Sequence, residues 1–139
     1  MNIFELVEKN TNTTPTLMDA FRDFLPIAIK HLQLSSLPVI KLERNIAGAG
    51  NPTFGQFIHT DNTIYLDIEN RHPVDIIRTF AHELVHYDQG QEHQLSSGSG
   101  STGSPIEDEA NVEAGVMLRM FDKEFPKYMA LTPVMLPKQ

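Results

Sequence analysis

Apolar positions along the chain follow two rhythms. Leu17, Phe21, Phe24, Leu25, Ala28 and Leu32 recur every three or four residues, which stacks them on one stripe of an α-helix. Thr14 and Pro15 suit the cap and first position of that helix. Pro26 lies within the stripe and predicts either a kink or a fresh helix start, because proline donates no hydrogen bond to the preceding turn. A shorter helix over 2–9, with Ile3, Phe4 and Val7 on one side, precedes a turn-rich stretch over 10–16. Alternation takes over at 38–43 and again at 53–59 and 63–69, the last two forming a hairpin around Thr60, Asp61 and Asn62. In the 63–68 strand, Ile64, Leu66 and Ile68 are predicted to face the core, with Thr63, Tyr65 and Asp67 on the other side.

His72 and Pro73 open a third helical pattern that runs to about Gln89. The segment 96–104, rich in Ser and Gly, has the composition of a linker or a lid. Another helix follows from about Pro105 to Phe125, stopped by Pro126. Residues 45–53 read as a loop, and 131–139, with two prolines, as an extended tail. The order helix, helix, strand, hairpin, helix, loop, helix predicts an α+β domain in which a sheet of about three strands packs on helices. We expect one domain over 1–139: N-terminal helices and first strand to residue 50, a core over 51–130, then the tail. The 63–68 strand is expected at the sheet edge, above the helix that follows it.

Composition narrows the function. Hydrophobic residues make up 40% and charged residues 21%, as in globular proteins. A net charge of −7 excludes a broad basic face for nucleic acid. The chain has no cysteine, which rules out disulfides, thiolate metal ligands and a thiol nucleophile. No basic run leads into an apolar stretch at the start and no window nears ~18 unbroken apolar residues. A cytoplasmic location away from membranes is therefore expected.

The chemistry centres on His82-Glu83-Leu84-Val85-His86. Residues i and i+4 share a helix face with Cβ atoms about 5–6 Å apart, so the two imidazoles can converge on one zinc ion. Glu83 can then reach a water on that metal as a general base. The pattern is expected by chance only roughly 0.02 times in a chain of this composition. A catalytic zinc site needs a third protein ligand. His93 is one candidate, but Gly90 and His93 each fall one residue late for the H-E-x-x-H-x-x-G-x-x-H arrangement. The acidic start of the last helix is the other. At 100° per residue, Glu107 shares the stripe of Ala110, Ala114, Leu118 and Phe121, whereas Glu109 and Glu113 fall on a face that can meet water. A carboxylate on an inward stripe calls for a cation, which favours Glu107. Asn111, one turn on, can support a ligating imidazole.

H-E-x-x-H followed about twenty residues later by Glu107-Asp108-Glu109-Ala110-Asn111 resembles the gluzincin branch of zinc peptidases. It is similar to the compact ImmA/IrrE-type and bacteriophage-encoded metallopeptidases, whose third-ligand helix carries an E-x-E-A-N run. The resemblance covers about residues 54–120. It implies a minimal zincin-like domain, one Zn²⁺ held by His82, His86 and Glu107, Glu83 as general base, and a peptide or protein as substrate. Tyr65, Tyr87 and Tyr128 are the phenols available to stabilise an oxyanion. A zinc-clamped regulatory or interaction module without turnover is the alternative, and Glu83 separates the two, since a structural site has no use for a base.

Overall fold

A computed structural model describes residues 15–44, 54–92 and 105–136. The expected helix over 2–9, the loop over 45–53, the linker over 96–104 and His93 lie outside the described residues. The first described helix, α1 (Leu17–Leu32), is capped by Thr16 rather than Thr14. Asp19 N–H donates to Thr16 Oγ1 at 3.2 Å and Thr16 N–H donates to Asp19 Oδ2 at 3.0 Å. This reciprocal box satisfies two amides that a helix start otherwise leaves unpaired. Pro26 interrupts nothing: the helix is continuous through it. The proline is exposed, so the carbonyl it deprives of a partner is placed to meet water.

Strands β1 (Val39–Glu43), β2 (Gly55–Ile58) and β3 (Thr63–Asp67) form one sheet in the order β1-β3-β2. β2 and β3 make the expected antiparallel hairpin, with Ile58 opposite Thr63. Asn62 takes the left-handed conformation (φ 52°) that closes its turn. The expectation for β3 is corrected in one respect. It is the central strand, not an edge, because β1 pairs with its other side in parallel, Val39 opposite Thr63 through Glu43 opposite Asp67. Four of its five residues are buried accordingly. Its core face carries Ile64 and Leu66; on the other face Tyr65 lies against Lys41, whose Nζ is 5.8 Å from the ring centroid.

Helices α2 (Pro73–Glu92) and α3 (Pro105–Glu124) complete the helical layer, and a 3-10 turn over Pro126–Ala130 follows. The domain is α+β: three described helices over a mixed three-stranded sheet. Aromatic rings lock the layer together. Phe80 of α2 meets Phe21 and Phe24 of α1 edge-on at 5.1 and 5.9 Å, and Phe24 meets Phe121 of α3 at 5.6 Å. Beyond Pro126, Tyr128 stacks on Phe121 at 5.3 Å. The tail then returns to the sheet, where Val134 N–H donates to Arg71 O and Val134 O accepts from Asn70 N–H. Among the described residues no helix is long and apolar enough to cross a membrane.

Arg71 sets the spacing between β2 and α2. Its guanidinium donates to Asp67 O at 2.8 Å at the end of β3, to Phe54 O at 3.4 Å, and to Asp75 O and Thr79 Oγ1 at 3.2 and 2.7 Å in the first turns of α2. It also covers the Phe54 ring at 4.5 Å. Partial burial of the cation lowers its pKa, opposed by Asp67 and Asp75. Gly55 permits the same close approach, for a Cβ there would lie 2.4 Å from Thr79 Cγ2. We expect Arg71→Ala to destabilise the fold by about 2–3 kcal/mol, with Arg71→Lys recovering little because an ammonium cannot reproduce the fork. Urea denaturation checks both.

A candidate metal centre between two helices

Helix α2 buries Ile77, Phe80, Ala81 and Leu84 and turns His82 and His86 toward the first turn of α3. There Glu107 sits, brought alongside because Ala110 and Ala114 let the two helices approach closely and are themselves buried. His82 Nε2 lies 2.6 Å from Glu107 Oε1, His86 Nε2 lies 3.1 Å from Glu107 Oε2, and the two ring nitrogens are 3.1 Å apart. Ligand atoms 2.0–2.1 Å from a tetrahedral zinc are about 3.3 Å from one another. The three side chains form a group that could hold a metal ion.

The orientation of the His86 ring follows from a residue that sequence reasoning did not single out. Gln89 is buried, and its amide nitrogen donates to Ile106 O at 2.9 Å and Glu109 Oε1 at 2.8 Å. Its carbonyl oxygen therefore faces His86 Nδ1, at 2.9 Å, and Nδ1 must carry the hydrogen. Nε2 then faces a carboxylate oxygen at 3.1 Å, a separation that needs a proton or a metal cation between the two atoms. Two of the three separations approach those around a tetrahedral ion and the third, 2.6 Å, is of hydrogen-bond length, and the donor types are those that zinc takes. We expect Gln89→Leu, which keeps bulk and removes the acceptor, to weaken divalent-metal binding about 10–100-fold, as read by competition with a chromophoric chelator.

Glu83 is buried beside this group. Burial raises its carboxyl pKa, the charges of His86 and His82 lower it, Glu107 raises it further, and the Phe57 N–H of β2 donates to the carboxylate and lowers it. That bond has a topological origin. Phe54 O bonds to β3, so in the alternation of an antiparallel pair the Phe57 amide points away from β3 toward α2. Edge strand β2 therefore meets Glu83 directly.

The acidic run of α3 divides its tasks differently from expectation. Glu109 does not simply face water: it holds Gln89. Glu113 pairs with His31 of α1 at 2.5 Å. Asn111 is exposed and shares a groove with His82; the side chain that accepts from His86 Nδ1 is Gln89. The three tyrosine hydroxyls are each engaged elsewhere. Tyr65, on the outer sheet face, donates to Asp61 at 3.2 Å, and Tyr87 bonds to Ser36. Tyr128 donates to Asp23, and its burial next to that carboxylate pushes its pKa far up.

Gly90 does not turn the chain. α2 continues through it to Glu92. A Cβ on Gly90 would lie 2.8 Å from His59 Cε1, which places the His59 ring on the helix one turn beyond His86. No family model, curated protein or solved structure matches this chain.

Proposed function

We propose that the protein is a zinc peptidase of minimal zincin-like architecture, similar to the compact gluzincins. The observation that carries this reading is the convergence of two imidazole nitrogens and one carboxylate, next to the buried carboxylate of Glu83. His82, His86 and Glu107 would hold the ion. When bound, zinc supplies a Lewis acid that polarises the scissile carbonyl and acidifies water. Glu83 accepts the proton of the attacking water and returns it to the departing amine. Its burial suits that task by raising the carboxylate's proton affinity, while the Phe57 amide fixes its orientation. An extended substrate lies alongside β2, the sheet edge nearest Glu83, rather than along β3.

Zinc-loaded protein incubated with proteome-derived peptides, with cut sites mapped by mass spectrometry, tests the proposal. Cuts that disappear on chelation support it. Stoichiometric zinc without any cut would leave the clamped interaction module in its place.

A further inference from the structure

A groove of about 340 Å³ begins at His82 and runs between the antiparallel helices α2 and α3. Its floor is Ala114, Gly115 and Leu118, and its walls are Arg78 on α2 and Arg119 with Asp122 on α3. Arg78 stands one helical turn before His82. Gly115 leaves room on the other side: a Cβ there would lie 3.5 Å from Arg119 Nη1, so the Arg119 guanidinium reaches back one turn along α3, toward the end that bears Glu107.

Neither arginine is tied up by a close ion pair among the described residues. The carboxylate of Asp75 is 3.9 Å from Arg78 Nη1, with both side chains more than half exposed. Asp122 attracts Arg78 through space, and its Oδ1 is buried without a hydrogen-bond partner. The lining brings two guanidinium groups to one carboxylate, with Asp75 on the exposed side of Arg78. This stands out in a chain whose net charge is −7. The planar guanidinium forks are shaped to receive a carboxylate, and the short apolar floor accommodates the methylenes that carry it.

We infer that this groove is the subsite that selects the substrate by a carboxylate, either an Asp or Glu side chain or the free end of the peptide. The inference rests on the peptidase reading and names its substrate class. It follows that the Arg78–Arg119 pair holds the carboxylate at a fixed distance from His82, so the selected residue occupies one defined position relative to the cut.

Cleavage profiling of peptide libraries tests it, with free and amidated C termini run separately. Zinc-loaded wild type should favour Asp or Glu over Asn or Gln at one position by about 10–100-fold in kcat/KM, the range of a charge-assisted bidentate contact. Arg119→Ala should erase most of that preference, and Arg119→Glu should turn it toward Lys or Arg. Arg119 is exposed, so both variants should fold, which zinc content and circular dichroism would verify. A preference kept in amidated peptides assigns the carboxylate to a side chain; one confined to free termini assigns it to the chain end. Cleavage without acidic preference, or a preference untouched by both Arg119 variants, overturns the inference and leaves the peptidase reading intact. No cleavage by zinc-loaded wild type defeats that reading, and this inference with it.

Discussion

Zinc should raise the melting temperature of the wild-type protein, and Glu107→Ala should abolish that rise. A ligand that binds only the native state adds about 4 kcal/mol at a thousandfold excess over its dissociation constant, and that increment should vanish when the carboxylate between His82 and His86 is removed. The metal-free variant should melt close to metal-free wild type, because Glu107 belongs to the polar cluster and the apolar core is built elsewhere. Glu109→Ala should weaken zinc only modestly, through the loosened Gln89. His93→Ala should leave stoichiometry unchanged. Scanning calorimetry with and without zinc separates these variants. An undiminished zinc shift in Glu107→Ala would remove that residue from the ligand set.

Glu83→Gln should bind zinc as tightly as wild type and lose turnover by a factor of about 10²–10⁴, the usual contribution of a positioned general base. The amide is nearly isosteric with the carboxylate but cannot take a proton from water. Its carbonyl oxygen can still accept the Phe57 N–H, so the fold should be retained. Single-turnover kinetics on a peptide cut by wild type is the measurement. Activity within tenfold of wild type would place the base elsewhere.

The helical frame of the site was legible because helix geometry is local. Once His82 and His86 lie four apart on an amphipathic run, their convergence follows from the pitch, and the same wheel singles out Glu107 through its shared stripe with Ala110 and Ala114. What escaped was set by contacts distant in sequence. Nothing within residues 63–68 announces that β1 pairs with β3 in parallel, since alternation defines a strand's faces and not its neighbours. Gln89 reads as an ordinary polar helix residue until Ile106 and Glu109 arrive from α3 to fix its amide. Gly90 resembles a helix stop, and the helix passes through it because the missing Cβ makes space for His59. The cap moved from Thr14 to Thr16 because only Thr16 has a carboxylate three residues on, in Asp19, to complete the reciprocal pair.

The two ends of the α2–α3 pair are fastened by different means. At one end Phe24, Phe80 and Phe121 interlock within the apolar core. At the other, Glu107 in the first turn of α3 faces two nitrogens across a polar gap. Withdrawing the metal should therefore not melt the domain as a unit. The amides of the first turn of α3 should begin to exchange with solvent deuterium while those around Phe121 stay protected, an unzipping that starts at the metal end and halts at the aromatic cluster. On the proposed zinc reading, metal supply would then set how far the end of the α2–α3 pair that bears Glu107 is assembled, with the aromatic end folded throughout.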